Sequence, residues 1–379
     1  MKRNLLKLTA AVFVLASTQV LAQSDTSYFE EEIDWSLYDD VGFADESAKR
    51  LCSPKLEGQS PAKLISLGYD FQGPYALTAG QINDANGAPV NYPNTTNPVS
   101  TEQEMAVNST TGIRAGFNVP VVGNNNILWQ MGANYWESNY QYAETPTNSD
   151  NPLHQTLSEN GLRTTGISTT IFKPLDEKSF ILFQGSADLS GTYGAALMPM
   201  QYLKYSAAAL WGRRPTEKKQ WGVGLARTYR AGELNYIPVI LYNSTDAMNK
   251  WGAEVLFPAR AHVRRTINPR NMLFFGYELE GQSYRLYENL PGFDIRDEDL
   301  EIRRGEARIR AIYEFSLKDF VWMSIQAGYR VNYRYDVDRL VDGVEIYRAF
   351  GFLRDDAYAQ INGLGNPFYI NVSVNLVSP

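Results

Sequence analysis

Cysteine and histidine are nearly missing from this sequence: 379 residues hold one cysteine, Cys52, and two histidines, His154 and His262. A single sulfur forms no intrachain disulfide and builds no thiolate metal cluster. Two histidines leave little material for a hydrolytic centre, which needs a histidine in reach of a nucleophile and an orienting partner. Basic clusters are missing too. Thirty-five Lys and Arg stand against 42 Asp and Glu, a formal net charge of −7, which argues against a nucleic-acid partner. No glycine-rich phosphate loop or nucleotide fingerprint stands out, so no cofactor is expected. Beyond residue 22 no run of about eighteen apolar residues occurs, so membrane-spanning helices are not expected either.

What is present begins with an export signal. Lys2, Arg3 and Lys7 form a positive start, Leu8 to Ala16 is a short apolar stretch, and Val20-Leu21-Ala22 is a small-residue cleavage pattern. Residues 1–22 are therefore expected to be a cleaved signal peptide; its loss would take the formal charge from −7 to −10. Residues 23–62 carry many acids, among them Glu30, Glu31, Glu32, Asp39 and Asp40, with little alternation. They read as an acidic periplasmic tail.

From Lys63 the pattern becomes period two. Ile65, Leu67, Tyr69 and Phe71 face one way while Ser66, Gly68 and Asp70 face the other. The same rhythm recurs in Ile113/Ala115/Phe117 against Arg114/Gly116/Asn118, and in Ile127/Trp129/Met131/Ala133/Tyr135 against Gln130/Gly132/Asn134. It returns in Trp221/Val223/Leu225, in Val321 to Tyr335 and in Phe368/Ile370/Val372/Val374/Leu376. Strands with one apolar face and one polar or glycine face suit a barrel with lipid outside. Connection lengths agree: short polar turns such as Gly123–Asn126 and Ser316–Asp319 alternate with long segments such as 72–103 and 337–365. The alternation is strict if Trp251–Phe257 and Arg260–Thr266 are two short strands broken at Pro258, which cannot donate to a ladder. The expected fold is thus all-β: a transmembrane antiparallel up-and-down β-barrel over residues 63–379 with about fourteen strands. Twelve is the alternative if that hairpin folds aside. Trp129, Trp221, Trp251 and Trp322 each follow a short turn and are expected to form an interfacial aromatic girdle, although alternation puts Trp322 in the inner phase.

The stretches Tyr236-Ile237-Pro238, Asn249-Lys250-Trp251, Leu256-Phe257-Pro258 and Phe275-Gly276-Tyr277-Glu278-Leu279-Glu280-Gly281 through Ser283-Tyr284-Arg285 resemble an uncharacterised family of Gram-negative outer-membrane barrels. The resemblance is clearest over residues 230–290. It implies fold and cell-outer-membrane location and brings no catalytic residue. The expected partners are outer-membrane lipids, lipopolysaccharide and the outer-membrane assembly machinery. The ending Asn375-Leu376-Val377-Ser378-Pro379 lacks the terminal aromatic most such barrels carry.

Projected inward, the alternation gathers charge. Arg260, His262 and Arg264 are followed by Glu278, Glu280 and Gln282, then Arg304, Glu306, Arg308, Arg310 and Glu314, then Gln326, Arg330, Asn332 and Arg334. On the lipid side each Arg would cost about 2–4 kcal/mol at mid-membrane, so this phase marks an inner wall. Two readings follow. Cross-strand Arg–Glu pairs would neutralise each other and fill a narrow barrel. Alternatively Arg308, Arg310, Arg330 and Arg334 present positive charge to a pore. The acidic run Asp294 to Glu301 lacks Ca²⁺-loop spacing and reads as solvated charge, and no metal site is expected. The function expected is a pore or solute-binding channel for small polar or anionic solutes. A closed structural or surface-interaction barrel is the first alternative; a lipid- or lipopolysaccharide-modifying enzyme centred on His262 is the second.

Overall fold

The computed structural model describes residues 56–83, 102–124, 126–147, 150–194, 198–229, 232–287, 299–340 and 358–377. The signal segment, Cys52 and most of the acidic tail lie outside these residues, as do Asp294 to Glu298 of the acidic run.

The chain runs β1 (Lys63–Gln72), β2 (Tyr75–Ala79), β3 (Gln103–Asn124), β4 (Ile127–Tyr142), α1 (Pro152–Asn160), β5 (Leu162–Pro174), β6 (Ser179–Thr192) and β7 (Lys204–Thr216). It continues β8 (Lys219–Thr228), β9 (Asn235–Thr245), β10 (Trp251–Phe257), β11 (Arg260–Asn268), β12 (Asn271–Leu286), β13 (Leu300–Lys318), β14 (Val321–Arg339), β15 (Gly363–Leu364) and β16 (Phe368–Val377). Each long strand pairs antiparallel with its neighbours, and β1 joins both β16 and β3. Its register runs Ile65↔Leu376 on one side and Ile65↔Phe117 on the other. The result is a closed ring of fourteen strands, with β2 and β15 paired beside β3 as an addition at the loop end. Closure gives every ring strand a paired neighbour on each side, as a sheet in lipid requires. The break at Pro258 produces two strands, β10 and β11, as alternation of turns and loops requires.

The outer phase is apolar: Leu67, Ile167, Leu225, Val263, Phe275 and Tyr329 all stand exposed on it. A band of this extent is what a lipid-facing wall needs and a water-facing one avoids. At the short-turn end Trp221 and Trp251 are exposed, and Trp129 is half-buried with its indole N–H donated to the Thr169 hydroxyl at 2.8 Å. Trp211 joins them edge-on to Trp221, ring centroids 5.6 Å apart, and Arg265 stacks over Trp251 at 4.5 Å. Trp322 does not belong to that girdle. It is 6% exposed and packs with Met272, Phe274, Ile312 and Val377. The cause is phase: β14 starts at Val321, so Trp322 points inward with Ser324 and Arg330, both buried.

The loop end of the interior is filled. Leu153 and Leu157 of α1 pack with Val107, Tyr140, Tyr284, Ile302, Tyr335 and Val337 in one buried apolar core. Tyr140 and Tyr335 touch hydroxyl to hydroxyl at 3.0 Å across it. The helix is set by local chemistry that a loop reading of residues 142–158 overlooks. Asn151 caps it by accepting from the Leu153 N–H at 3.0 Å, Pro152 opens it, and Gly161 ends it at φ 62° with its N–H on the Leu157 carbonyl. Above this level the ring narrows. The end of β6 meets the end of β12 in parallel, Gly191↔Arg285 and Thr192↔Leu286, although β7 to β11 separate them lower down.

His154 sits in α1, fully buried, its ring nitrogens 3.1 Å from the Tyr142 hydroxyl and 3.1 Å from the Gln103 carbonyl. Burial lowers its pKa from the free value of 6.5, against a smaller raising effect of the Gln103 hydrogen bond. A depressed folded pKa means the neutral ring supports α1 above the free value, and that support is lost as pH falls below it. Protease cleavage in residues 150–160 is therefore expected to rise several-fold from neutral pH to about pH 5. Equal rates at both pH values would show that the ring is not held neutral.

Candidate functional site

Each ring strand from β11 to β14 presents alternate residues inward, and the pairing register stacks their charges at one height. Arg260 stands opposite Glu278, Glu278 opposite Arg308, and Arg308 opposite Arg330. Two strands across the seam add Asp70 from β1 and Arg114 from β3, paired at Gly68↔Arg114 and Asp70↔Gly112.

Their side chains form one connected network. Arg114 binds Asp70 and also reaches Glu280 at 2.5 Å. Arg308 bridges Glu280 at 2.6 Å and Glu306 at 2.7 Å. Glu306 further receives Arg304 at 3.1 Å and Arg330 at 3.5 Å, and Arg330 approaches Asp70 at 3.8 Å. The ring of Tyr369 carries the Arg308 and Arg330 guanidiniums at 5.4 and 5.2 Å. Four cations thus share three carboxylates, so the network is close to neutral. Beside it Arg310 binds Glu278, donates to Gln326 at 2.9 Å and lies 3.4 Å from His262 Nε2. Lower on the wall Arg264 is held by Glu254 at 2.5 Å and the Thr245 hydroxyl at 2.8 Å.

All eleven residues expected on the lumen face can now be placed. Arg260, His262, Arg264, Glu278, Glu280, Arg304, Glu306, Arg308, Arg310 and Arg330 do occupy the inner phase. Arg334 does not. A register shift between β13 and β14, Gly305↔Arg334 then Glu306↔Asn332, turns the phase over at Tyr333. Arg334 consequently pairs with Glu233 of the β8–β9 connection, and Tyr335 enters the core. A pore lined by free Arg308, Arg310, Arg330 and Arg334 is likewise not what the fold builds. Each of the four contacts a carboxylate, because Asp70, Glu233, Glu278, Glu280 and Glu306 come within reach from neighbouring elements.

Arg260 differs from the rest. It is exposed at the first position of β11, and no ion pair holds its guanidinium among the described residues. It borders a cavity of about 640 Å³ in the middle of the barrel. One wall of this cavity is the charged one, with Arg114, Glu278, Glu280, Arg308, Arg310 and Gln326. The facing wall is apolar, with Leu182, Leu210, Ile237, Val239 and Leu256. The volume is that of a site for a small organic molecule. The apolar wall continues toward the short-turn end as a cluster of Phe172, Phe180 and Leu210, with Leu128, Leu182, Val239 and Leu241 packed on it. Alternation alone did not show this, since Val239 and Leu241 share a strand with outward Ile240 and Tyr242.

The short-turn mouth is crossed on one side by residues 56–62. Leu56 is buried, the Glu57 N–H donates to the Glu217 carbonyl at 3.0 Å, and Ser60 and Lys63 both reach Glu314. Of the acidic run, Asp299 binds Arg285, while Glu301 binds Lys204 at 2.5 Å and Arg303 at 3.2 Å. Those acids serve as partners for buried cations rather than as solvated charge.

No family model matches the chain, and no curated protein sequence does. Among solved structures it is similar to a FadL homologue of Pseudomonas aeruginosa, at 9% identity and a TM-score of 0.38, covering 83% of this chain and 90% of that one. It is also similar to an outer membrane channel from Pseudomonas putida F1, at 11% identity and a TM-score of 0.34, covering 84% and 97%. A third is the toluene transporter TodX of Pseudomonas putida, at 7% identity and a TM-score of 0.29, covering 84% and 90%. At these scores the likeness carries no argument about what this barrel does.

Proposed function

We propose that this chain is an outer-membrane barrel that takes up a small amphipathic anion in its lumen and passes it across the wall. The observation that supports this reading is the two-sided cavity with Arg260 at its edge. An apolar body of a few carbon atoms would lie on Leu182, Leu210, Val239 and Leu256, gaining about 25 cal/mol for each Å² removed from water. An anionic head would meet the Arg260 guanidinium, which has no carboxylate partner among the described residues. A freely hydrated inorganic anion gains nothing from the apolar wall and meets a nearly neutral network, so selective conduction of such ions is not part of the proposal. The partners proposed with this reading are the outer-membrane lipids around the exposed apolar band.

The probe that tests the site is 4-butylbenzenesulfonate, an anion with a short apolar body. Equilibrium dialysis of the barrel in nanodiscs, with empty nanodiscs subtracted, is expected to show saturable binding. Arg260→Gln is expected to weaken it about tenfold, the value of one hydrogen bond to a charged group. Equal affinity in the two proteins would remove Arg260 from the site. Binding no greater than that of empty discs would leave a closed structural barrel, the reading that the packed loop-end core favours.

A further inference from the structure

Between the charged network and the short turns the lumen holds a second cavity of about 260 Å³, the volume of about nine liquid waters. The inner phase of β1 and of β3 to β6 lines it, and the pairing register interleaves small polar side chains with glycine. Ser66 stands opposite Gly116, Gly116 opposite Asn134, and Asn134 opposite Gly166. One step nearer the turns Asn118 stands opposite Gly132 and Gly132 opposite Ser168; beyond them Thr170 faces Gln184. The glycines make the room. A Cβ at Gly132 would stand 2.6 Å from the Ser168 Oγ, so that hydroxyl lies over the glycine. A Cβ at Gly116 would meet nothing nearer than the Ser66 Cβ at 3.9 Å.

The chemistry of this wall differs from that of the rest of the lumen. Among the described residues lining the cavity the one charged side chain is Lys63, and its Nζ is tied to Glu314 at 2.6 Å. Asn118 and Gln184 are exposed to the lumen, and Ser168 and Thr170 are half-buried beside them. None of these four gives its side-chain donors or acceptors to another described residue. An ion of either sign finds no counter-charge there. An apolar body would strip water from all four groups and return no hydrogen bond. A molecule with several hydroxyls meets the wall on its own terms, because a hydroxyl donates and accepts as Asn, Gln, Ser and Thr do. Trp136 borders the same cavity, with its indole N–H donated to the Tyr284 hydroxyl at 3.3 Å. What the indole offers the cavity is therefore ring carbon, a surface on which the C–H side of a sugar packs.

We propose that this second cavity binds a neutral polyhydroxylated ring, a single sugar unit, hydrogen-bonded to the amides and hydroxyls of β3 to β6 and packed on Trp136. The wall has the right mesh for it. Its polar side chains project from strands about 4.8 Å apart and from alternate positions about 6.8 Å apart, the scale of a six-membered ring with hydroxyls around it. The site stands apart from the anion reading. Gly116, Asn118 and Ser168 do not border the cavity with Arg260, and a neutral sugar brings no charge for Arg260 to meet.

Saturation-transfer NMR on the barrel in nanodiscs reads such binding directly. The probes are methyl α-glucoside, methyl α-galactoside and methyl α-mannoside, with cyclohexanol as a six-membered ring that carries one hydroxyl. At least one glycoside is expected to give a saturable signal above that of empty discs, and cyclohexanol to bind at least tenfold more weakly. Gly116→Leu puts a side chain into the open space and is expected to abolish the signal. Asn118→Ala with Ser168→Ala is expected to weaken binding at least fivefold, the value of two neutral hydrogen bonds, and carries the test should Gly116→Leu fail to fold. Arg260→Gln is expected to leave it within twofold. Heat-modifiable migration verifies the ring in each variant. No glycoside signal above empty discs, cyclohexanol binding as tightly as the sugars, or full binding by folded Gly116→Leu would each overturn the proposal. Loss of the signal in Arg260→Gln alone would put the sugar in the central cavity, and the second site would fall. None of these results bears on whether 4-butylbenzenesulfonate binds.

Discussion

Glu306→Ala is expected to destabilise the folded barrel by about 3–5 kcal/mol, the loss found when one partner of a buried ion pair is removed. The carboxylate is 2% exposed and is shared by Arg304, Arg308 and Arg330. Removing it leaves three guanidiniums at one height with Glu280 and Asp70 as the remaining counter-charges, and Arg330 already sits at the longest distances in the network. Glu306→Gln keeps the shape and some hydrogen bonds, so its loss should be smaller. Adding Arg330→Met to Glu306→Ala should recover part of the stability, since it removes one of the stranded cations. Urea unfolding in lipid vesicles, followed by tryptophan fluorescence, reads all three. An unchanged midpoint for Glu306→Ala would mean that lumen water solvates these side chains and that the network does not hold the wall.

The second large effect concerns the stopper. Leu153→Asp together with Leu157→Asp is expected to raise ion current through the barrel at least tenfold in planar bilayers, from a nearly silent wild type. Both leucines lie in the loop-end core, Leu157 at 0% exposure, and an unpaired carboxylate there would cost far more than the packing of one nine-residue helix returns. The helix should swing out and leave the ring standing, because the fourteen-strand ladder does not pass through it. Retained heat-modifiable migration would verify the ring. Continued silence in a folded variant would assign the seal to the strand residues Tyr140, Tyr284 and Tyr335 instead of to α1.

Much of the ring was legible because alternation reports phase directly. The hairpin at Pro258, the inward run from Arg260 to Arg330 and even the inward phase of Trp322 follow from counting by two. Phase says nothing of partners. Asp70 and Arg114 each lie alone among small residues on their strands, so they gave no cluster to notice until the β1–β3 seam joined them. Arg334 was misplaced because a register shift inverts alternation without leaving a mark such as Gly or Pro at Asn332–Arg334 itself. The stopper was missed for another reason. Its cap residues Asn151, Pro152 and Gly161 are ordinary helix signals, but the nine residues between them are too few to show a period. The pairing of acids and bases across long loops depends on contacts of high sequence separation, which no local pattern carries.

The seam has a consequence for how the barrel can be made. Ser66 of the first strand donates to Asn375 of the last, 309 positions away, and Asp70 accepts from Asn371 across 301. Contacts of that separation are the slowest kind to form, since the chain between them must be gathered first. Apart from the short β6–β12 contact at the loop end, every other ring pairing links strands that are successive around the ring, and β1 alone needs both the third strand and the final one. Without Phe368–Val377 the ring strands make a sheet with two raw edges, at β1 and β14. A chain halted before that segment would be an open template for its own aggregation.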